Sequence, residues 1–222
     1  MNNWCTKFGW GLMGYLFAVG ALADCDFSDF PTMPEMKISI LMDDASYNNK
    51  PMKLRSFSAG TSASNLVRYY KREWKDRFSE SAFEPWQQIS TLEGECLFTV
   101  QYGEAGDGSF GRLLISPPPD ASGGMALGEG VVKPGDALVV SDLKTKDGRK
   151  DGRVTIITSE RSVSELINFY HTEMTVDGWS LEQNFTEYGR AVMVFRRGVD
   201  EANVLITPAG DATQILVNEV EN

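Results

Sequence analysis

Histidine occurs once in this sequence, at position 171, and cysteine only three times. A lone imidazole with no second ligand at local spacing offers neither a metal cluster nor a base for a nucleophile, so His171 reads as a residue at the margin of a helix face. Glycine loops of the phosphate-cradling kind are missing too. Gly123-Gly124 and Gly128-x-Gly130 lie beside proline-rich sequence without the required lysine, and Gly106-x-Gly108 falls in a hairpin loop. Ser141 and Ser159 lack the flanking glycines of a nucleophile elbow. Neither Asp43-Asp44 nor the spaced Asp24, Asp26 and Asp29 has the oxygen pattern of a calcium loop. These absences nominate no catalytic, cofactor-binding or metal-binding residue. A hydrolase whose acids assemble only in space is the enzymatic alternative.

Positive charge is also scarce: 21 Lys and Arg stand against 31 Asp and Glu, a net charge of −10. That balance disfavours nonspecific binding to nucleic acid or to anionic lipid. Tyr69, Tyr70 and Trp74 do interleave with Arg68, Lys71, Arg72 and Lys75, but helical spacing turns the main aromatics inward. The cluster Lys144, Lys146, Arg149, Lys150 and Arg153 is interleaved with Asp147 and Asp151 and reads as a solvated hairpin tip.

Of long apolar runs there is one. Phe8 to Gly20 follows Lys7 and precedes Ala21-Leu22-Ala23, which predicts a signal peptide over 1–23 and export to the periplasm. The run is too short for a comfortable transmembrane span, so no stable membrane insertion is expected after cleavage. Asp24 departs from a lipobox, which favours soluble export but leaves lipidation of Cys25 open. In an oxidising compartment Cys25 and Cys96 are expected to bond, closing a loop worth about 4 kcal/mol. A buried free Cys96 with an exposed, dimer-forming Cys25 is the alternative.

What the chain does contain is a repeat. Ser62, Leu66, Val67, Tyr69, Tyr70 and Trp74 match Ser162, Leu166, Ile167, Phe169, Tyr170 and Met174 without a gap, and the register runs back through Phe57 and Ile157 to Ile38 and Leu138. Beyond the helix Trp86 is set against Trp179, and Ile115-Ser116-Pro117 against Ile206-Thr207-Pro208. The second helix is expected over Ser162 to Thr175, with Glu165 completing a capping box and Asp177-Gly178 ending it; the first is expected over Ser62 to Phe78. Strands are expected at Met36 to Met42, Met52 to Ser58, Glu95 to Tyr102 and Arg112 to Ser116, with Phe83 to Ile89 packing under the helix. The second copy is read as Ala137 to Leu143, Arg153 to Thr158, Ala191 to Arg197, Ala202 to Thr207 and a further strand over Thr213 to Val220.

These elements predict an α+β fold: a tandem duplication of a two-layer β-β-α-β-β(-β) unit, an antiparallel sheet with one helix packed on a face. An extended segment over 24–35 leads into a first repeat at 36–120. A linker at 121–135, with a bridging strand from Met125 to Val132, precedes a second repeat at 136–222.

The run Ser162, Glu165, Phe169, Tyr170, Met174, Gly178 and Trp179 resembles a helix motif of secreted and lipid-anchored bacterial envelope proteins, Ser-x-x-Glu-x-x-x-Phe-Tyr-x-x-x-Met/Leu followed by Gly-Trp and two or three strands. The first copy departs from it at Asn65, Tyr69 and Trp74. The resemblance implies a noncatalytic envelope domain and carries over no catalytic residue. The expected role is therefore binding or scaffolding in envelope assembly or secretion, with an envelope or secretion protein as partner and homo-oligomerisation left open. The alternative is a small-ligand sensor or carrier with its pocket between the repeats, near Trp86, Trp179 and Tyr170.

Overall fold

The computed structural model describes residues 25–83, 85–119 and 126–222. The expected signal peptide and the first residues of the expected linker lie outside them. The first copy comprises β1 (Lys37–Tyr47), β2 (Lys50–Ala59), α1 (Ala63–Glu73), β3 (Ser79–Phe83), β4 (Trp86–Glu93), β5 (Cys96–Ala105) and β6 (Gly108–Ser116). The second comprises β7 (Leu138–Asp147), β8 (Lys150–Ser159), α2 (Val163–Val176), β9 (Ser180–Glu187), β10 (Arg190–Arg197), β11 (Asp200–Ala209) and β12 (Ala212–Glu221). Two strands, a helix and four strands thus run twice, with antiparallel sheet dominating.

The strands join in the order β3-β4-β5-β6-β2-β1-β7-β8-β12-β11-β10-β9. Exchanging the copies reverses this order onto itself. The join is a short antiparallel ladder in which Ala45 faces Thr145, Ser46 faces Lys144 and Tyr47 faces Leu143. Ala45 and Thr145 hold the same place in their copies, since they face Met52 and Gly152 respectively. A local pseudo-twofold axis therefore passes between them, as in a symmetric dimer fused into one chain.

Each helix is set by its first turn. The Ser162 side chain accepts from the Glu165 N–H while the Glu165 carboxylate accepts from the Ser162 N–H, the reciprocal pair expected. Ser62 caps α1 but finds Asn65 where the glutamate would be. α1 ends at Glu73, short of the expected Phe78, because Lys75 and Asp76 adopt left-handed φ values of 50° and 62°. Leu66, Tyr70 and Trp74 then bury against one end of the sheet, Leu166, Tyr170 and Met174 against the other, making two separate cores.

Several expectations are corrected. Phe83 to Ile89 does not pack under the helix as a loop; it holds the β3–β4 turn, so both copies own six strands. The residue before β9 is Trp179 and the one before its counterpart β3 is Phe78, which makes Phe78, and not Trp86, the match for Trp179. Ile115-Ser116-Pro117 ends β6, the counterpart of β12, so Ile206-Thr207-Pro208 of β11 is not its match. Ile38 faces Phe57 whereas Val139 faces Ile157, so the repeat offset slips by one before the β1 bulges. No strand forms over 126–132 among the described residues. Polar tips missed these features because their Lys, Asp and Ser continue as strand until the two-residue turns at 48–49 and 148–149.

Candidate functional site

Where the copies meet, a carboxylate is buried. Asp142 of β7 is 1 % exposed, and Arg153 of β8 donates to it twice, Nε to Oδ1 at 2.9 Å and Nη2 to Oδ2 at 2.7 Å. The Gly128 N–H donates to Oδ2 at 3.3 Å. Gly128 is required there: its φ is +76°, and an added Cβ would lie 2.5 Å from Val139. From the first copy, Asn48 donates its N–H to the Asp142 carbonyl and its Oδ1 accepts from the Asp142 N–H, at 2.8 and 2.9 Å. Burial alone would raise this carboxyl's pKa, but the Arg153 hydrogen bonds and charge, with help from Lys144 and Gly128, hold it below the ordinary 3.8.

Beside this lock opens a cleft of about 790 Å³ on the helix side of the sheet. Its floor carries Lys144, Arg153 and Glu219, adjacent across β7, β8 and β12. Gly130 and Val132 of the linker, Asp177 and Trp179 after α2, and Asp44 to Pro51 of the first copy provide its walls. The Arg197 guanidinium lies 4.4 Å from the Trp179 ring centre. Glu219 has no hydrogen bond or ion pair among the described residues. Burial pushes its pKa above the ordinary 4.5, against the pull of Arg153.

Those two acids oppose each other in pH. Because the folded chain holds the Glu219 proton more tightly than the unfolded chain does, this group's contribution is present below about pH 4.5 and is lost as pH rises through its folded value. Asp142 contributes above about pH 3.8 and loses that contribution as pH falls through its lowered value. Glu219→Gln is accordingly expected to melt higher than the parent at pH 7–8, with the gap closing toward pH 4; a gap independent of pH would contradict the assignment.

The residues singled out from the sequence are dispersed. Trp179 is in the cleft wall. Tyr170 is fully buried between α2 and the sheet. Trp86 lies on the other face of the sheet, in the first copy, with Phe110 edge-on at 5.5 Å and Arg112 at 5.1 Å. Cys25 and Cys96 are bonded, with Cα atoms 5.7 Å apart. Asp142 and Glu219 were passed over in the sequence, where nothing distinguishes a buried acid from the many exposed ones; their only signal is a charge inside an alternating apolar strand.

The face away from the helices differs sharply between copies. In the first, one row across five strands reads Ser81, Gln88, Gln101, Arg112, Ser56. The equivalent row in the second reads Phe185, Val192, Leu205, Leu216, Ile156. Phe185 is 62 %, Val192 38 % and Leu205 37 % exposed. Rows of Thr158, Gln214, Thr207 and of Val154, Asn218, Asn203, Val194, Gln183 flank it, none charged.

A protein-family model described as START domain-like matches residues 139–215, which spans the second repeat from β7 into β12. No curated protein and no solved structure matches the chain. No described helix is long and apolar enough to cross a membrane.

Proposed function

We propose that this is a noncatalytic periplasmic protein, built by tandem duplication, that scaffolds an envelope or secretion partner through the open sheet face of its second repeat. The carrying observation is the five-strand apolar row whose first-repeat twin is polar. A solvated sheet needs no such row, and its uncharged flanks match the core and rim of a protein interface. Five strands at about 4.8 Å spacing span roughly 19 Å, the length of about 13 helical residues. α2, with 14 residues, covers the opposite face of these same strands, so the occupant that fits is an amphipathic partner helix of similar length. The disulfide agrees with an oxidising compartment.

A photoreactive residue at Leu205 is expected to crosslink, in intact cells, to a segment of one envelope protein that forms an amphipathic helix, while the same residue at Gln101 does not. Leu205→Glu should weaken that complex by about tenfold or more. Equal labelling from both positions, no labelling, or labelling of a second copy of this chain would overturn the reading. A second reading, a small-ligand binding protein, is favoured by the cleft beside Asp142; the START domain-like match over the repeat that forms its floor accords with it.

A further inference from the structure

We infer that the cleft at the repeat junction is a binding site for a small organic cation, a primary ammonium or guanidinium compound, accepted by the Glu219 carboxylate. The inference rests on the ligand-binding reading and adds the chemistry of the ligand.

The twin halves show how the space arises. In the first, the segment before β1 fills the end of the core: Phe30 stacks on Phe98 at 5.0 Å and meets Tyr70 edge-on at 6.3 Å, and the Tyr70 hydroxyl donates to Met36 Sδ at 3.9 Å. The same tight turns recur before β7, with Phe30 N–H to Phe27 O matched by Val131 N–H to Gly128 O, and Met36 N–H to Met33 O by Ala137 N–H to Pro134 O. Val131 thus replaces Phe30, and Ala137 replaces Met36. Across the sheet, Lys53 faces Ile115 and Phe98 as Arg153 faces Glu219 and Ala202. Two phenyl rings have become an isopropyl and a methyl, and a buried isoleucine has become a glutamate.

Removing that plug strands a polar group. The Tyr170 hydroxyl, on a fully buried side chain, has no hydrogen-bond partner among the described residues, and its charged neighbour is Glu219 on the cleft floor. A buried phenol without a partner is a group waiting for one.

The sign of the ligand follows from which charges are already engaged. Arg153 is held bidentate by Asp142, Arg197 by Glu221 at 2.9 Å, and Lys146 by Asp151 at 3.5 Å. Lys144 reaches Asp142 at 3.9 Å. Asp44, Asp177 and Glu219 have no ion pair among the described residues. The unused valence of the cleft is therefore negative, and an ammonium, which only donates, meets two acceptors in Glu219 and Tyr170.

Calorimetric titration of the full chain with spermidine, arginine, succinate and inorganic phosphate tests this. Spermidine or arginine is expected to bind one to one, with Glu219→Gln weakening it by about tenfold or more while the variant stays folded and melts no lower than the parent. Ala202→Phe, which restores one ring of the plug, should abolish binding. Binding of succinate or phosphate instead, unaffected by Glu219→Gln, would overturn the cation and leave the ligand-binding reading standing; no binding by any of the four would sink both.

Discussion

Asp142→Ala is expected to destabilise the protein by about 3–5 kcal/mol, read as a lower denaturant midpoint at pH 7, because it leaves the Arg153 guanidinium uncompensated in a site that is 16 % exposed. The cost comes from the orphaned charge more than from the lost attraction. Replacing both partners, Asp142→Leu with Arg153→Met, should therefore recover much of the loss, since an ion pair exchanged for apolar side chains removes the desolvation penalty along with the bond. A loss under about 1 kcal/mol in the single variant would mean that water reaches Arg153 and that the lock is ornamental. The main-chain bonds between Asn48 and residue 142 are untouched by either change, so the experiment isolates the carboxylate.

Cys25→Ser with Cys96→Ser is expected to cost about 4 kcal/mol, the chain-entropy value for a bond across a sequence separation of 71. The effect should be local. The bridge holds the segment that supplies Phe27, Phe30, Met33 and Met36 to the first core, and releasing it would expose Tyr70 and Phe98. Amide exchange is expected to rise in that segment and in β5, with β10 to β12 unchanged. Equal stability of parent and variant under oxidising conditions would show that the segment stays docked by packing alone.

Both predictions concern elements that the sequence disclosed unevenly. The helices were legible because their signals are local: Ser162 with Glu165, the apolar spacing from Leu166 to Met174, and the stop at Gly178 all act within one turn or two. The Cys25–Cys96 bond was legible because few cysteines remained to choose from. β3 and β9 were missed because strand-forming power in Ser79 to Phe83 or Ser180 to Glu187 comes from neighbours supplied by distant chain, and edge strands carry little apolar alternation of their own. The offset of one before β1 was invisible for a similar reason, since a bulge is a property of pairing.

The candidate sites were harder still. Trp179 drew notice as a large aromatic, yet Glu219, a single acid near the chain end, acquires its character only when β12 lies beside β8 and the linker fails to cover it. Likewise Val192, Leu205 and Ile156 each look like ordinary strand residues; they become a surface only once the strand order places them in one row.

Composition and local periodicity by themselves determined a twice-built α+β chain with two capped helices, an acidic balance and one candidate disulfide, because those properties depend on residue identity and on contacts a few positions apart. Tertiary structure alone decided that the copies join edge to edge about a pseudo-twofold axis, that Asp142 is buried there, and that one repeat is plugged where the other is hollow. Those outcomes depend on which side chains the pairing of remote strands brings within a few ångströms, and that pairing is not written in any short stretch of sequence.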